Sequence, residues 1–111
     1  ALFQAEDASP DAIFVANDHM AYAVIDMIRY ELQLNIPGDV LVVGFDDAPP
    51  SAWPSYSLTT YSQPLEPMVS ATIKLFRSLV EKSPKEVENI VVPGRLIERG
   101  SSMRECSQQS N

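Results

Sequence analysis

Two pairs of polar residues stand directly behind apolar runs: Asn17-Asp18 after "AIFVA" and Asp46-Asp47 after "VLVVGF". A carboxylate accepts hydrogen bonds, and a carboxamide both accepts and donates, so such a set suits a ligand rich in hydroxyl groups, a sugar above all. Adjacent aspartates are equally the raw material of a metal site, an acid pair or a plain turn. The rest of the chain narrows these options. His19 and Cys106 are its single histidine and cysteine, so no soft ligand set for zinc exists. A glycine-rich phosphate loop and a GxSxG elbow are absent from the sequence, and the three lysines, Lys74, Lys82 and Lys85, fall on or just after the second helical segment. No catalytic residue, metal or cofactor is expected, although a small α/β enzyme working through Asp46 or Asp47 stays as an alternative class.

Each polar residue has a structural reading beside the functional one. Asp18 is expected to cap the helix that follows it. Asp47 is expected to hold the next loop through an Asx-type turn, and Asp46 to meet a ligand at the strand tip. Asn17 stands between the two roles. His19 is either a hydrogen-bonded surface residue or a ligand contact, and Gln63 is a third polar contact at the end of "LTTYSQ". Trp53 serves as a core or interface anchor or as a stacking platform, and Phe45 as a platform if it turns toward the cleft.

Those tips need strands beneath them. "AIFVAN" (12–17) and "VLVVGF" (40–45) read as buried strands, joined by an uninterrupted helix over 19–33 and the turn "NIPGD". Strand, helix and strand in that order make a right-handed βαβ unit with parallel strands, whose ligands bind at the carboxyl ends. The loop "DDAPPSAWPSYS" is stiffened by its three prolines. "LTTYSQ" is a further strand, and Pro64 opens a helix to about residue 81 with an amphipathic stripe of Leu65, Met68, Val69, Thr72, Ile73, Phe76, Leu79 and Val80. "NIVVPGRLIERG" reads as a strand broken at Pro93-Gly94, with Leu96 to Arg99 at a sheet edge; residues 101–111 read as a polar, disordered tail. The apolar positions of the first helix spread over roughly 200°, about twice the arc one sheet covers. Either a neighbouring helix of this chain or a partner subunit must cover the excess.

Composition bounds the function. The 111 residues fit one domain or a piece of a larger protein, and "ALFQAEDASPDAIF" reads as the last turn of a helix that begins earlier rather than as a signal peptide. A formal charge of −7 repels phosphate backbones, so nucleic acid is not expected to bind this segment directly. The lone Cys106 fits a reducing compartment. No apolar run is long enough to span a membrane.

Four motifs then occur in order: "PDAIFVANDHMAYAVI", "IPGDVLVVGFDDAP", "WPSYSLTTYSQP" and "VPGRLIERGS". Together they resemble the C-terminal part of the effector-binding core of LacI/GalR-type transcriptional regulators, over nearly residues 10–101. The resemblance implies a parallel-sheet, type I periplasmic-binding-protein-like α/β fold, a cytoplasmic location, and a small sugar or related polar metabolite in a cleft between two subdomains. It implies effector contacts at Asn17, Asp46, His19 and Gln63, and a homodimer interface using Tyr22, Ile25 and Trp53. It also implies that residues 1–100 form part of the effector-binding and dimerisation core, and that operator DNA is bound only through a separate domain. A periplasmic sugar-binding protein of a transport system is the alternative of similar architecture.

Overall fold

The computed structural model describes residues 9–81 and 89–104. They fall into two compact units, residues 9–62 with 96–104 and residues 63–81 with 89–95. In the first unit the strand β1 (Ala12–Phe14) leads to the helix α1 (Asp18–Asp26), which runs on as a π-helical turn (Met27–Glu31), and then to β2 (Leu41–Val43). β1 and β2 pair in parallel, with Ala12 opposite Leu41, Ile13 opposite Val42 and Phe14 opposite Val43. The expected parallel βαβ unit is present.

Regular strand geometry covers less than the apolar runs, yet the hydrogen bonding extends further. The Val15 amide donates to Val43 (2.8 Å) and the Gly44 amide to Thr59 (2.8 Å), while parallel bridges join Val43 to Thr59 and Asp46 to Ser62. The strand β3 (Thr60–Ser62) therefore runs alongside the end of β2, and it also neighbours β4 (Arg95–Ile97).

α1 and the π-helical turn bury Ala21, Ile25 and Ile28, at a spacing that keeps one face on the sheet. Val15, Val40, Val42 and Leu58 meet them, with Tyr22 at the margin and Ile13, Val24, Leu34, Ile36 and Tyr56 packed outside. The uninterrupted helix expected over 19–33 differs from the structure at its end. From Met27 the winding widens, with the Leu32 amide donating to Met27 (3.0 Å), and the helix stops where Gln33 takes a φ of 55°. The Leu34 amide then closes onto the Ile28 carbonyl at 2.9 Å. The stop thus comes earlier than the Asn35 signal.

The proline-rich loop is ordered, as expected. Pro49–Ala52 forms a 3-10 turn, and the amides of Ser51, Trp53, Tyr56, Ser57 and Leu58 all find backbone carbonyls within the loop. Residues 101 and 102, placed by the sequence in a polar tail, belong to another 3-10 turn (Gly100–Ser102), and Ser101 is buried. Its hydroxyl accepts from the Thr59 amide (2.8 Å) and donates to the Val42 carbonyl (2.5 Å). Ser101→Ala would strand two buried backbone groups, so a loss of about 1–3 kcal/mol is expected, read from the urea midpoint. The remaining tail, 105–111 with Cys106, lies outside the described residues.

The second unit, taken by itself, carries α2 (Leu65–Glu81). Pro64 sits just before it, and the Pro64 carbonyl accepts from the Met68 amide at 3.0 Å. None of the helix residues is buried, so the stripe of Leu65, Val69, Ile73, Phe76, Leu79 and Val80 faces outward. Among the described residues no helix is long and apolar enough to cross a membrane.

Candidate functional site

The strand tips meet as the βαβ reading requires. The Asp18 amide donates to the Phe45 carbonyl (3.1 Å) and the Asp46 amide to the Tyr61 carbonyl (3.0 Å), so Asn17-Asp18, Phe45-Asp46 and Tyr61-Ser62 lie abreast along one carboxyl edge. Asp46 is exposed there and Asn17 is half-buried. The rings of Phe45 and Tyr61 stack with centroids 5.4 Å apart and planes 15° from parallel. Phe45 thus shares its platform with Tyr61, which sequence reasoning missed.

The capping expectation is corrected by one residue. Asn17, not Asp18, caps α1: its Oδ1 accepts from the Met20 amide at 2.9 Å. Capping engages Oδ1, so Nδ2 is the part of Asn17 suited to donate to a ligand. Asp18 has turned inward and has no exposed surface. Its Oδ2 accepts from the Ala48 amide (2.9 Å) and the Ser51 hydroxyl (2.6 Å), and its Oδ1 from the Thr60 hydroxyl (2.7 Å). Three donors offset the cost of burying the carboxylate. Since the Ser51 hydrogen goes to Asp18, Tyr22 is the donor in the 2.7 Å contact between the Tyr22 and Ser51 hydroxyls. Burial raises the Tyr22 hydroxyl above its ordinary range, against the pull of the Ser51 hydrogen bond and with the help of the Asp18 charge.

Asp47 does hold its loop, but by a route other than an Asx turn. Its carboxylate pairs with Arg99 at 2.9 Å and its amide donates to the Thr60 hydroxyl at 3.2 Å. Arg99 also donates to the Leu58 carbonyl (2.9 Å), which ties 99–102 back onto the strand ends. Sequence reasoning missed Arg99, Ser51 and Ser101. A signal for Thr60 exists in its hydroxyl, which stands within the strand "LTTYSQ".

The other expected contacts separate. His19 is exposed, with its ring tilted against Tyr22 at 5.7 Å. Gln63 is exposed at the start of the second unit. Of the three expected interface residues, Ile25 has no exposed surface and Tyr22 retains 9%, both packed into this chain's own core and loop. Tyr22 stacks on Tyr56 at 4.6 Å, and Tyr56 in turn donates to Asp26 at 3.2 Å. Arg29 donates to the Ser55 carbonyl. Trp53, by contrast, is 55% exposed. The apolar surface that α1 and the π-helical turn leave open is Met20, Met27 and Tyr30, spaced along the side away from the core.

Known proteins are similar to this chain in sequence and fold. A family model described as a periplasmic binding protein-like domain matches residues 1–102. The ribose operon repressor of Escherichia coli (strain K12) is 29% identical over 93 residues, covering 84% of this chain and 28% of the repressor. A periplasmic binding protein/LacI transcriptional regulator from Alkaliphilus metalliredigens, solved with D-xylulofuranose, superposes with a TM-score of 0.74 at 30% identity, over 85% of this chain and 35% of that one. The lac repressor dimer bound to operator and the anti-inducer ONPF superposes with a TM-score of 0.77 at 28% identity, over 89% of this chain and 34% of that one. The chain therefore spans about a third of each of these proteins, which are named as repressors or transcriptional regulators. With the parallel α/β core and the shared carboxyl edge in place, the chain belongs to the periplasmic binding protein-like domain family, in the form found in LacI/GalR-type transcriptional regulators.

Proposed function

We propose that the chain supplies one wall of the effector pocket of a cytoplasmic, sugar-responsive transcriptional regulator. The observation that carries this reading is the carboxyl edge, where Asn17, Asp46 and the stacked Phe45–Tyr61 pair stand abreast. The Asp46 carboxylate accepts from sugar hydroxyls, the Asn17 amide donates to them, and an aromatic face covers the C–H side of a ring. His19 is a further effector contact in this proposal. A solved relative holds D-xylulofuranose, which supports a sugar over other polar metabolites. Binding acts by population shift: an effector that favours one arrangement of the whole regulator changes how DNA-reading parts outside this chain are spaced. Titrating the intact protein with D-ribose, D-xylulose, D-glucose and cellobiose tests the reading, with saturable binding by at least one of them expected.

The partner surface in the same proposal is the open side of α1 together with Trp53. Met20, Met27, Tyr30 and Trp53 are each more than half exposed, and apolar, aromatic surface of this kind is what subunit contacts consume. The lac repressor relative is a dimer, which supports a homodimer here. Tyr30→Asp is expected to shift the intact protein from dimer toward monomer in light scattering at micromolar concentration. An unchanged mass for Tyr30→Asp combined with Trp53→Asp would remove this surface from the account.

A further inference from the structure

We propose that Asp18 is a positioning residue of the effector edge, holding the backbone that carries Asp46 in the conformation that binds. Asp46 has a φ of 132° and Asp47 a φ of 59°, so two consecutive residues with side chains occupy the positive-φ region. L-residues visit it rarely and stay only where surrounding contacts over-determine them. Those contacts can be followed amide by amide. The Asp46 amide is tied to the Tyr61 carbonyl at 3.0 Å, the Asp47 amide to the Thr60 hydroxyl at 3.2 Å, and the Ala48 amide to Asp18 Oδ2 at 2.9 Å. Thr60 gives its own hydrogen to Asp18 Oδ1 at 2.7 Å, which aims the oxygen lone pairs at the Asp47 amide. Two of the three anchors thus run through one buried carboxylate.

The same carboxylate joins both halves of the edge. Asp18 directly follows Asn17, whose Oδ1 caps α1, and its amide is fixed to the Phe45 carbonyl next to Asp46. Ser51, held to Oδ2 at 2.6 Å and to the Tyr22 hydroxyl at 2.7 Å, braces the far side of the loop. Asp18 itself is fully buried. Its role is to set where Asp46 stands relative to Asn17, and so it rests on the sugar-binding reading above.

Asp18→Asn keeps the shape but turns one acceptor into a donor, facing groups that donate. Thr60→Val removes the relay hydroxyl at nearly constant volume, and Thr60→Ser restores it. Ile28→Val trims the core away from this network and controls for a general loss of stability. The first readout needs no ligand: amide hydrogen exchange at residues 46–48 of the intact protein. It is expected to accelerate about tenfold or more in Asp18→Asn and Thr60→Val, with Thr60→Ser and Ile28→Val close to the parent. The second readout is affinity for whichever of D-ribose, D-xylulose, D-glucose and cellobiose binds the parent most tightly. It is expected to weaken about tenfold in the same two variants and to be recovered in Thr60→Ser. Unchanged exchange at 46–48 in both Asp18→Asn and Thr60→Val overturns the positioning role, as does accelerated exchange with undiminished affinity. Should none of the four sugars bind the parent, the sugar reading fails, and the exchange result still decides whether Asp18 holds this backbone.

Discussion

Gly44→Ala is expected to lower the urea midpoint sharply, by about 3 kcal/mol of stability, with the upper end of the overpacking range as the guide. A Cβ built on Gly44 overlaps Asp18 Oδ1 and lies 2.9 Å from Leu58 Cδ2. Neither neighbour can retreat at small cost. The Asp18 carboxylate is fixed by three donors, and Leu58 is fully buried in the hydrophobic core. Moving the carboxylate frees the Ala48 amide and the Ser51 and Thr60 hydroxyls, so the clash spreads into the hydrogen-bond network. Gly38→Ala is the control. The nearest atom its Cβ meets is Asn35 Cβ at 3.3 Å, and Gly38 is exposed, so a change within about 0.5 kcal/mol is expected. Equal losses in the two variants would show that Gly44 is not there to admit the carboxylate.

Ile25→Ala is the second large effect: a loss of about 2–5 kcal/mol, the same at every protein concentration. Ile25 has no exposed surface and packs in the cluster of Ala21, Ile28, Val40, Val42 and Leu58. Truncation therefore leaves a cavity inside one chain. The sequence had placed Ile25 at a subunit interface, and the two positions differ in a measurable way. An interface residue loosens association, so its apparent stability rises with protein concentration, whereas a core residue does not. Thermal melts over a hundredfold range of concentration separate them, and a melting temperature that climbs more steeply with concentration in Ile25→Ala than in the parent would return Ile25 to the interface.

What could be read from the sequence follows the reach of the physics that encodes it. Apolar runs, a turn with Pro37-Gly38 and short connections specify a parallel βαβ unit locally, and the strand-tip site follows from that topology. The apolar arc of α1 was also legible, and it is indeed too wide for one sheet. Which side faced the core was not, because periodicity marks apolar positions without saying which of them the sheet covers. The core took Ala21, Ile25 and Ile28, and it left Met20, Met27 and Tyr30 outside.

The buried network was illegible for a different reason. Asp18 and Ser51 are separated by 33 residues, and Asp47 and Arg99 by 52. An aspartate at a helix start is a sound capping signal, and only the arrival of Ala48, Ser51 and Thr60 gives it a stronger alternative. Asn17 then caps in its place. The stretch "VVGFDD" gathers these lessons. Its glycine makes room for a carboxylate from another element, its first aspartate stands exposed at the edge, and its second is tied to Arg99.

The central claim is that this edge binds sugar through Asp46, and calorimetric titration of the intact protein tests it most directly. The parent, Asp46→Ala and Glu98→Ala are each titrated with the tightest binder among D-ribose, D-xylulose, D-glucose and cellobiose. Loss of a charged hydrogen-bond acceptor costs about 2–3 kcal/mol, so Asp46→Ala is expected to bind roughly 30- to 150-fold more weakly, with Glu98→Ala like the parent. A folded Asp46→Ala protein that binds the sugar as tightly as the parent would contradict the account.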